Sequence, residues 1–448
     1  MGSALTREQK RARIQLLRKV IAVLFALCVL LFFADIICGI VLIVKNSKSK
    51  SKSSKASISS LTSVTDVSDP SEMTTEPETT PVTVTMNEDL PVNDLAEAYW
   101  GPLPEVAEVK QAPHKEVHGL YIGAAAKMDA NIAIAKNSEV NAFVIDLKEN
   151  DGVYFNSSNQ FALDMGEVKG YYNLQNVVQK CHDNGIYVIG RIVCFNDPHM
   201  ASKHPEMSIK DASGNSMKFS LEHNNAFVNP YDTRVWDYLI DLAIEAIEAG
   251  VDEIQFDYVR FPTISTKKGE SPYFGPEDTT PTRIDAINRF LQTARRRIQD
   301  TYGIPLTADV FGIILSSELD GKLIGQDWAT VGLTGVDSVC PMLYPSHYAR
   351  PTSLNGKTFD KPDLYPYEVM YNALMVGKSA ASASGYAVVR PYVQAFTASY
   401  IGEGNYKTYT YTDINAQIKA LQDAGYTEWI LWNPSANYPE GNYGGNAG

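Results

Sequence analysis

The run Asp252–Glu253–Ile254–Gln255–Phe256–Asp257–Tyr258–Val259–Arg260–Phe261–Pro262 sets a carboxylate at the end of an apolar strand, among aromatics and near an arginine. Period-two alternation puts Gln255 and Asp257 on one face. Asp and Glu are almost never fully buried unless paired. Asp257 is therefore either half of a structural ion pair with Arg260 or a group that does chemistry. Asp309, in Leu306–Thr307–Ala308–Asp309–Val310–Phe311, is a second such acid and has no base beside it in sequence. A third, Asp146, lies in Val144–Ile145–Asp146–Leu147–Lys148, where Lys148 or Arg191 is a ready ion-pair partner. Two carboxylates flanked by aromatics suit glycosidic-bond cleavage. One donates a proton while the other attacks or stabilises an oxocarbenium-like centre. Asp257 and Asp309 are the catalytic candidates.

Such groups need elements that bring them to one place. From about Leu95 the sequence alternates apolar, β-branched runs with helical patterns. The expected strands are Val117–Ala126, Ala142–Lys148, Ile186–Phe195, Glu253–Phe261, Pro305–Gly312, Val336–Pro345, Ala387–Phe396 and Thr427–Asn433. The clearest helices are Leu174–Asn184, Thr233–Ala249, Arg283–Thr301 and Asp413–Ala424, followed by Gly185, Gly250, Gly303 and Gly425 at C-cap positions. Strands alternating with helices imply parallel pairing through right-handed crossovers. Eight units match an α/β fold of the (β/α)8 TIM-barrel type, whose chemistry sits at the C-terminal ends of its strands. A doubly wound sheet is the alternative, but Gly123–Ala124–Ala125–Ala126–Lys127 is not a GxGxxG turn. At the expected strand ends, Asp146, Lys148, Arg191, Gln255 and Arg260 are substrate-binding candidates. The later strands add Tyr344, His347, Gln394, Trp432 and Asn433.

Other chemistries lack their residues. His199 and His204 stand five apart, which is not a zinc spacing, and no Cys pair has CxxC spacing, so no metal site and no cofactor is expected. There is no GxSxG elbow and no P-loop. Cys28, Cys38, Cys181, Cys194 and Cys340 all fall in apolar patterns and read as reduced, packed thiols.

The net charge of −13 is unevenly spread. Residues 1–55 carry 11 Lys and Arg against Glu8 and Asp35, leaving the remainder with 28 basic and 50 acidic residues. So acidic a body is a poor nucleic-acid binder, because phosphate affinity rests on Lys and Arg. Residues 1–19 read as a basic cytoplasmic tail. Val20–Val44 is apolar enough and long enough to cross a bilayer, with Asp35 its one charge. A cleaved signal peptide would be shorter. The dense basic flank before the span and the acidic bulk after it orient the chain as a single-pass type II anchor with its C-terminal part outside the cell. Residues 45–94, rich in Ser, Thr, Lys and Pro, read as a disordered stalk, and 95–448 as the barrel.

The runs Val117–His118–Gly119–Leu120–Tyr121, Val144–Ile145–Asp146–Leu147–Lys148 and Phe256–Asp257–Tyr258–Val259–Arg260–Phe261–Pro262 also resemble the "putative glycosyl hydrolase domain" family of bacterial surface proteins, over about Lys115–Asn437. The resemblance implies a TIM barrel related to the α-amylase-type hydrolases. In those enzymes the fourth-strand Asp is the nucleophile and a fifth-strand carboxylate the acid/base, which correspond here to Asp257 and Asp309. Gln255 stands where the α-amylase pattern has an Arg, and the fifth-strand acid is Asp instead of Glu. Together these readings predict a membrane-anchored extracellular glycoside hydrolase acting on a cell-wall or extracellular polysaccharide, with retention of anomeric configuration. A non-catalytic carbohydrate-binding barrel and a surface scaffold are the alternatives. The scaffold predicts a flat rim with Asp257 fully paired to Arg260.

Overall fold

The computed structural model describes residues 94–274 and 281–445. The expected span Val20–Val44 lies outside them, as do the basic tail and all of the expected stalk except its last residue. Among the described residues no helix is long and apolar enough to cross a membrane.

Eight parallel strands close into a barrel. They are β1 (His118–Gly123), β2 (Ala142–Glu149), β3 (Tyr187–Val193), β4 (Glu253–Asp257), β5 (Leu306–Phe311), β6 (Ser338–Met342), β7 (Tyr392–Gln394) and β8 (Trp429–Trp432). Each pairs with the next in chain order, and β1 pairs with β8 through His118↔Trp429, Gly119↔Ile430 and Leu120↔Leu431, which closes the ring. The seventh strand is interrupted. Val388–Val389 pairs with the start of β6, Arg390 and Pro391 intervene, and β7 resumes at Tyr392. A proline cannot donate to the ladder, and Arg390 is drawn into the barrel by acids described below.

Outside the ring, Gly152–Phe155 folds back antiparallel on β2, and Val168–Tyr172 adds beside it. These are elements the apolar periodicity does not announce. The helix Thr233–Glu248 shows how the outer layer packs. The Asp232 carboxylate caps its start by accepting from the Arg234 amide, and Gly250 at φ 99° ends it. Val235, Leu239, Leu242, Ala243 and Ala246 form its buried stripe. Cutting Leu242 to Ala would cost about 2–5 kcal/mol. Cys181, Cys194 and Cys340 are buried free thiols.

The strand Glu253–Asp257 displays the layering that builds the site. Ile254 and Phe256 face outward under the helices and are fully buried. Glu253, Gln255 and Asp257 point inward at three successive levels, as alternation requires. At the lowest level Arg390 binds Glu253 (2.5 Å) and Glu428 (2.6 Å). His114 lies below, bridging Asp337 (3.0 Å) and Glu428 (2.6 Å). At the middle level the Tyr392 hydroxyl donates to Gln255 (2.7 Å), whose amide meets the Cys340 sulfur. Asp257 forms the top, where the barrel opens.

Candidate active site

Arg191, projecting from β3, organises the opening. Its Nε and one terminal nitrogen donate to Asp257 Oδ2 at 3.0 and 2.6 Å. The other terminal nitrogen donates to Asp146 (2.6 Å) and Glu149 (2.5 Å). One guanidinium thus faces three carboxylates, the planar forked geometry for which Arg is suited. The Tyr121 hydroxyl holds the second oxygen of Asp146 at 2.6 Å. Burial pushes the Asp146 carboxyl up to about 6, Arg191 pulls it down and Glu149 raises it again. Glu149 is also penalised by burial, but the charge and hydrogen bonds of Arg191 hold it below the usual carboxylate range.

Asp257 ends β4 because the chain turns there. Tyr258 takes φ 50°, and its amide donates back to Asp257 Oδ1 at 2.6 Å. Left-handed backbone at a bulky residue is uncommon and costly, and it aims the carboxylate inward. Asp309, on the neighbouring strand, follows the paired rung Phe256↔Ala308 by one residue. It is 1% exposed, and neither of its oxygens meets a nitrogen or oxygen donor, leaving only the weak donor of the Cys340 thiol. Burial first, and the negative charge of Asp257 second, push its carboxyl far above the usual range. Arg191 opposes this, and the Cys340 thiol, paired across the ladder, contributes a smaller lowering.

A cavity of about 800 Å³ opens over these groups. Arg191, Asp257, Asp309, Tyr344, Tyr392 and Trp432 line its acidic and aromatic side, and His347 stands exposed at the rim. Tyr344 stacks on Trp432 with centroids 5.5 Å apart, and Phe396 meets Trp432 edge-on at 5.2 Å. Stacked rings of this kind offer a flat face to a sugar. The flat rim and Asp257–Arg260 pair that a scaffold would need are not found.

Several expected contacts prove structural. Arg260 does not touch Asp257. Its guanidinium binds Glu222 at 2.9 and 3.0 Å and lies over the Phe311 and Tyr258 rings. Lys148 is fully buried on Asp197 (2.8 Å) and Glu167 (3.7 Å), because the β2–β3 register shifts between Asp146 and Lys148 and turns the lysine off the shared face. Gln255 lies one level too deep. Gln394 is fully buried, binding Asp363 and the Ser346 amide. Asn433 is spent on Ala395 O and the Ser435 amide. None of these five lines the cavity. Asp146, also expected to bind substrate, does not line the cavity and reaches it only through Arg191, as do Tyr121 and Glu149, whereas Phe311 and Tyr392 line it; the last four were not singled out in the sequence. Glu149 directly follows an expected strand end and Tyr121 lies inside an expected strand, whereas nothing local marks Glu222 as the partner of Arg260. Among the described residues no group of three His, Cys, Asp or Glu side chains could hold a metal ion.

The closed parallel ring with acids at its C-terminal mouth is a glycoside-hydrolase-like (β/α)8 barrel. The sequence matches the family model described as "Putative glycosyl hydrolase domain" over residues 117–438. The chain belongs to that family. No curated protein matches the sequence. Among solved structures, a hypothetical protein from Ruminiclostridium thermocellum is 38% identical, with 43% of this chain and 97% of that one covered and a TM-score of 0.38. The PgaB (BpsB) glycoside hydrolase domain from Bordetella bronchiseptica is similar in fold at 11% identity, with 72% and 95% covered and a TM-score of 0.51.

Proposed function

We propose that this protein hydrolyses a glycosidic bond in a cell-wall or extracellular polysaccharide, using Asp309 as proton donor and Asp257 as the partner carboxylate. One observation carries the reading. A fully buried carboxyl, pushed well above the usual range by burial and facing no nitrogen or oxygen partner, lies one strand away from a carboxylate paired with Arg191. Glycoside cleavage needs such a pair, with environments that drive the two groups apart. In the first step Asp309 gives its proton to the leaving-group oxygen as the anomeric C–O bond breaks and an Asp257 oxygen bonds to the anomeric carbon; in the second, water displaces Asp257 from that carbon. The water supplies oxygen to the anomeric carbon and returns a proton to Asp309. Attack by Asp257 followed by attack by water retains the anomeric configuration, which proton NMR of the first-formed anomer tests. An inverted first product would remove Asp257 as the attacking group.

Asp257→Asn and Asp309→Asn should each lower kcat by about 10²–10⁴-fold on a polysaccharide the parent cleaves, with unchanged circular dichroism. Near-parental turnover by Asp257→Asn would make that residue structural and remove the proposal. Val20–Val44 is proposed as the anchor that holds the barrel outside the cell, on its length and flanking charges. Protease added to intact cells should remove the barrel and leave a short protected N-terminal fragment. A fully protected barrel would overturn that placement.

A further inference from the structure

The aromatic wall of the mouth does not stop at the cavity. Tyr344, from the segment after β6, is 5% exposed and stacks on the half-buried Trp432 at the end of β8. His347 meets the Tyr344 ring at 5.1 Å and the Phe396 ring, from the segment after β7, edge-on at 6.4 Å. Tyr344, Trp432 and His347 all line the cavity. Tyr400, further along the segment after β7, lies outside that lining and is 69% exposed. Its hydroxyl is 3.4 Å from Ser346 Oγ, which also meets His347 Nδ1 at 3.2 Å. Exposure thus rises along one connected series, from the buried Tyr344 inside the cavity to the open Tyr400 beyond it.

A scattered exposed apolar side chain needs no explanation. Tyr400 is different, because its backbone is held in place. Arg350 Nη1 donates to Ile401 O at 2.7 Å, and Asn405 Nδ2 donates to the same oxygen at 3.2 Å, which fastens the turn Ser399–Ile401 to the loop after β6. The ring on this turn buries little against the protein, so it adds little to folding and stands pre-placed for a ligand. A pyranose offers the matching surface, with C–H groups on its faces and hydroxyls around its edge. The rings supply apolar faces, and the hydroxyls of Ser346 and Tyr400 and the His347 imidazole supply polar partners. Taking the proposed hydrolase reading as its basis, we infer that Tyr400 and His347 form an outer subsite, which binds a sugar unit further along the same glycan than the one on Trp432. The substrate is then a chain with several units held across the mouth, and Tyr400 selects for its length.

The test is isothermal titration of the full-length Asp257→Asn protein with malto-, cello-, laminari- and chito-oligosaccharides of one to six units. Affinity should rise with length in a series that binds. Adding Tyr400→Ala to that protein should remove about two- to tenfold of the affinity gained by the longer members. Tyr400→Phe, which keeps the ring, should retain most of it. Absence of a length-dependent gain in all four series overturns the inference. So does a Tyr400→Ala protein that keeps the gain, or one that loses affinity for the single sugar and the hexamer alike, since Tyr400 would then only shape the mouth. Measuring the reducing ends that the parent protein releases from the same oligomers separates the two readings. Length-dependent binding through Tyr400 without cleavage would count against hydrolysis and leave the subsite standing. Cleavage at rates independent of length and of Tyr400 would remove the subsite and leave hydrolysis.

Discussion

Arg191 is the residue on which the site's charge balance rests. Three carboxylates share its guanidinium, and both Arg191 and Asp146 are nearly sealed from water. Removing one partner of a buried pair leaves an uncompensated charge, which typically costs about 3–5 kcal/mol. Arg191→Met should destabilise the protein by about that amount in urea unfolding, while Asp146→Asn, losing a carboxyl already pushed up by burial, should cost less. The sign of the Asp146 contribution follows from that raised carboxyl. Its stabilising share is complete below the unfolded value of 3.8 and is lost as pH rises through about 6. At this scale the sequence was only half legible. Asp146, Asp257 and Asp309 were visible as acids in apolar strands, and Arg191 as a nearby base. The true partner of Arg260, Glu222, is 38 residues away on a loop that no periodicity describes. Lys148 was misplaced because alternation assumes a regular ladder, and a single register shift reverses the face.

The elements were more legible than the contacts. Seven of the eight barrel strands lie inside the expected runs and β2 passes its run by one residue, Glu149, since a strand covered on both faces reads as a continuous apolar segment. The expected ends overran where a backbone feature, not hydrophobicity, stops the strand. Tyr258 turns β4 at Asp257, four residues before the expected end at Phe261. The hairpin Gly152–Phe155 and the strand Val168–Tyr172 were missed because they are short, and Val168–Tyr172 is exposed over most of its length. At the end of β5, Gly312 is the tight point. A Cβ there would meet the Met342 carbonyl oxygen at 2.5 Å and a Leu343 methyl at 2.8 Å. The carbonyl belongs to the paired strand and has no freedom to swing away. Gly312→Ala should therefore part β5 from β6 locally and cost about 1–3 kcal/mol in thermal or urea unfolding. It should also lower activity through the displaced Asp309.

At the scale of the whole molecule, the charge cluster below the barrel ties together segments far apart in the chain. His114 precedes β1, Asp337 precedes β6 and Glu428 precedes β8. Hydrogen bonds to Asp337 and Glu428 raise the His114 imidazole from 6.5 to about 10, against the opposing effect of burial. A raised folded-state value means that its stabilising share is fully present below about pH 6.5 and is lost as pH climbs through about 10. His114→Gln should then destabilise the protein clearly at pH 6 and far less at pH 10.5. An equal loss at both would show that the imidazole's charge is not what holds the base together.

The ring itself closes between β1 and β8, whose partners His118 and Trp429 are separated by almost the entire barrel sequence. Contacts so distant pay a large loop-closure cost and form late. During synthesis, β1 therefore waits with an unpaired edge until β8 emerges. Until then the chain exposes two open, apolar strand edges of the kind that recruit other chains. The final stretch before residue 433 is the one that turns a sticky ribbon into a self-contained vessel, and its timing sets how long the newborn protein is vulnerable.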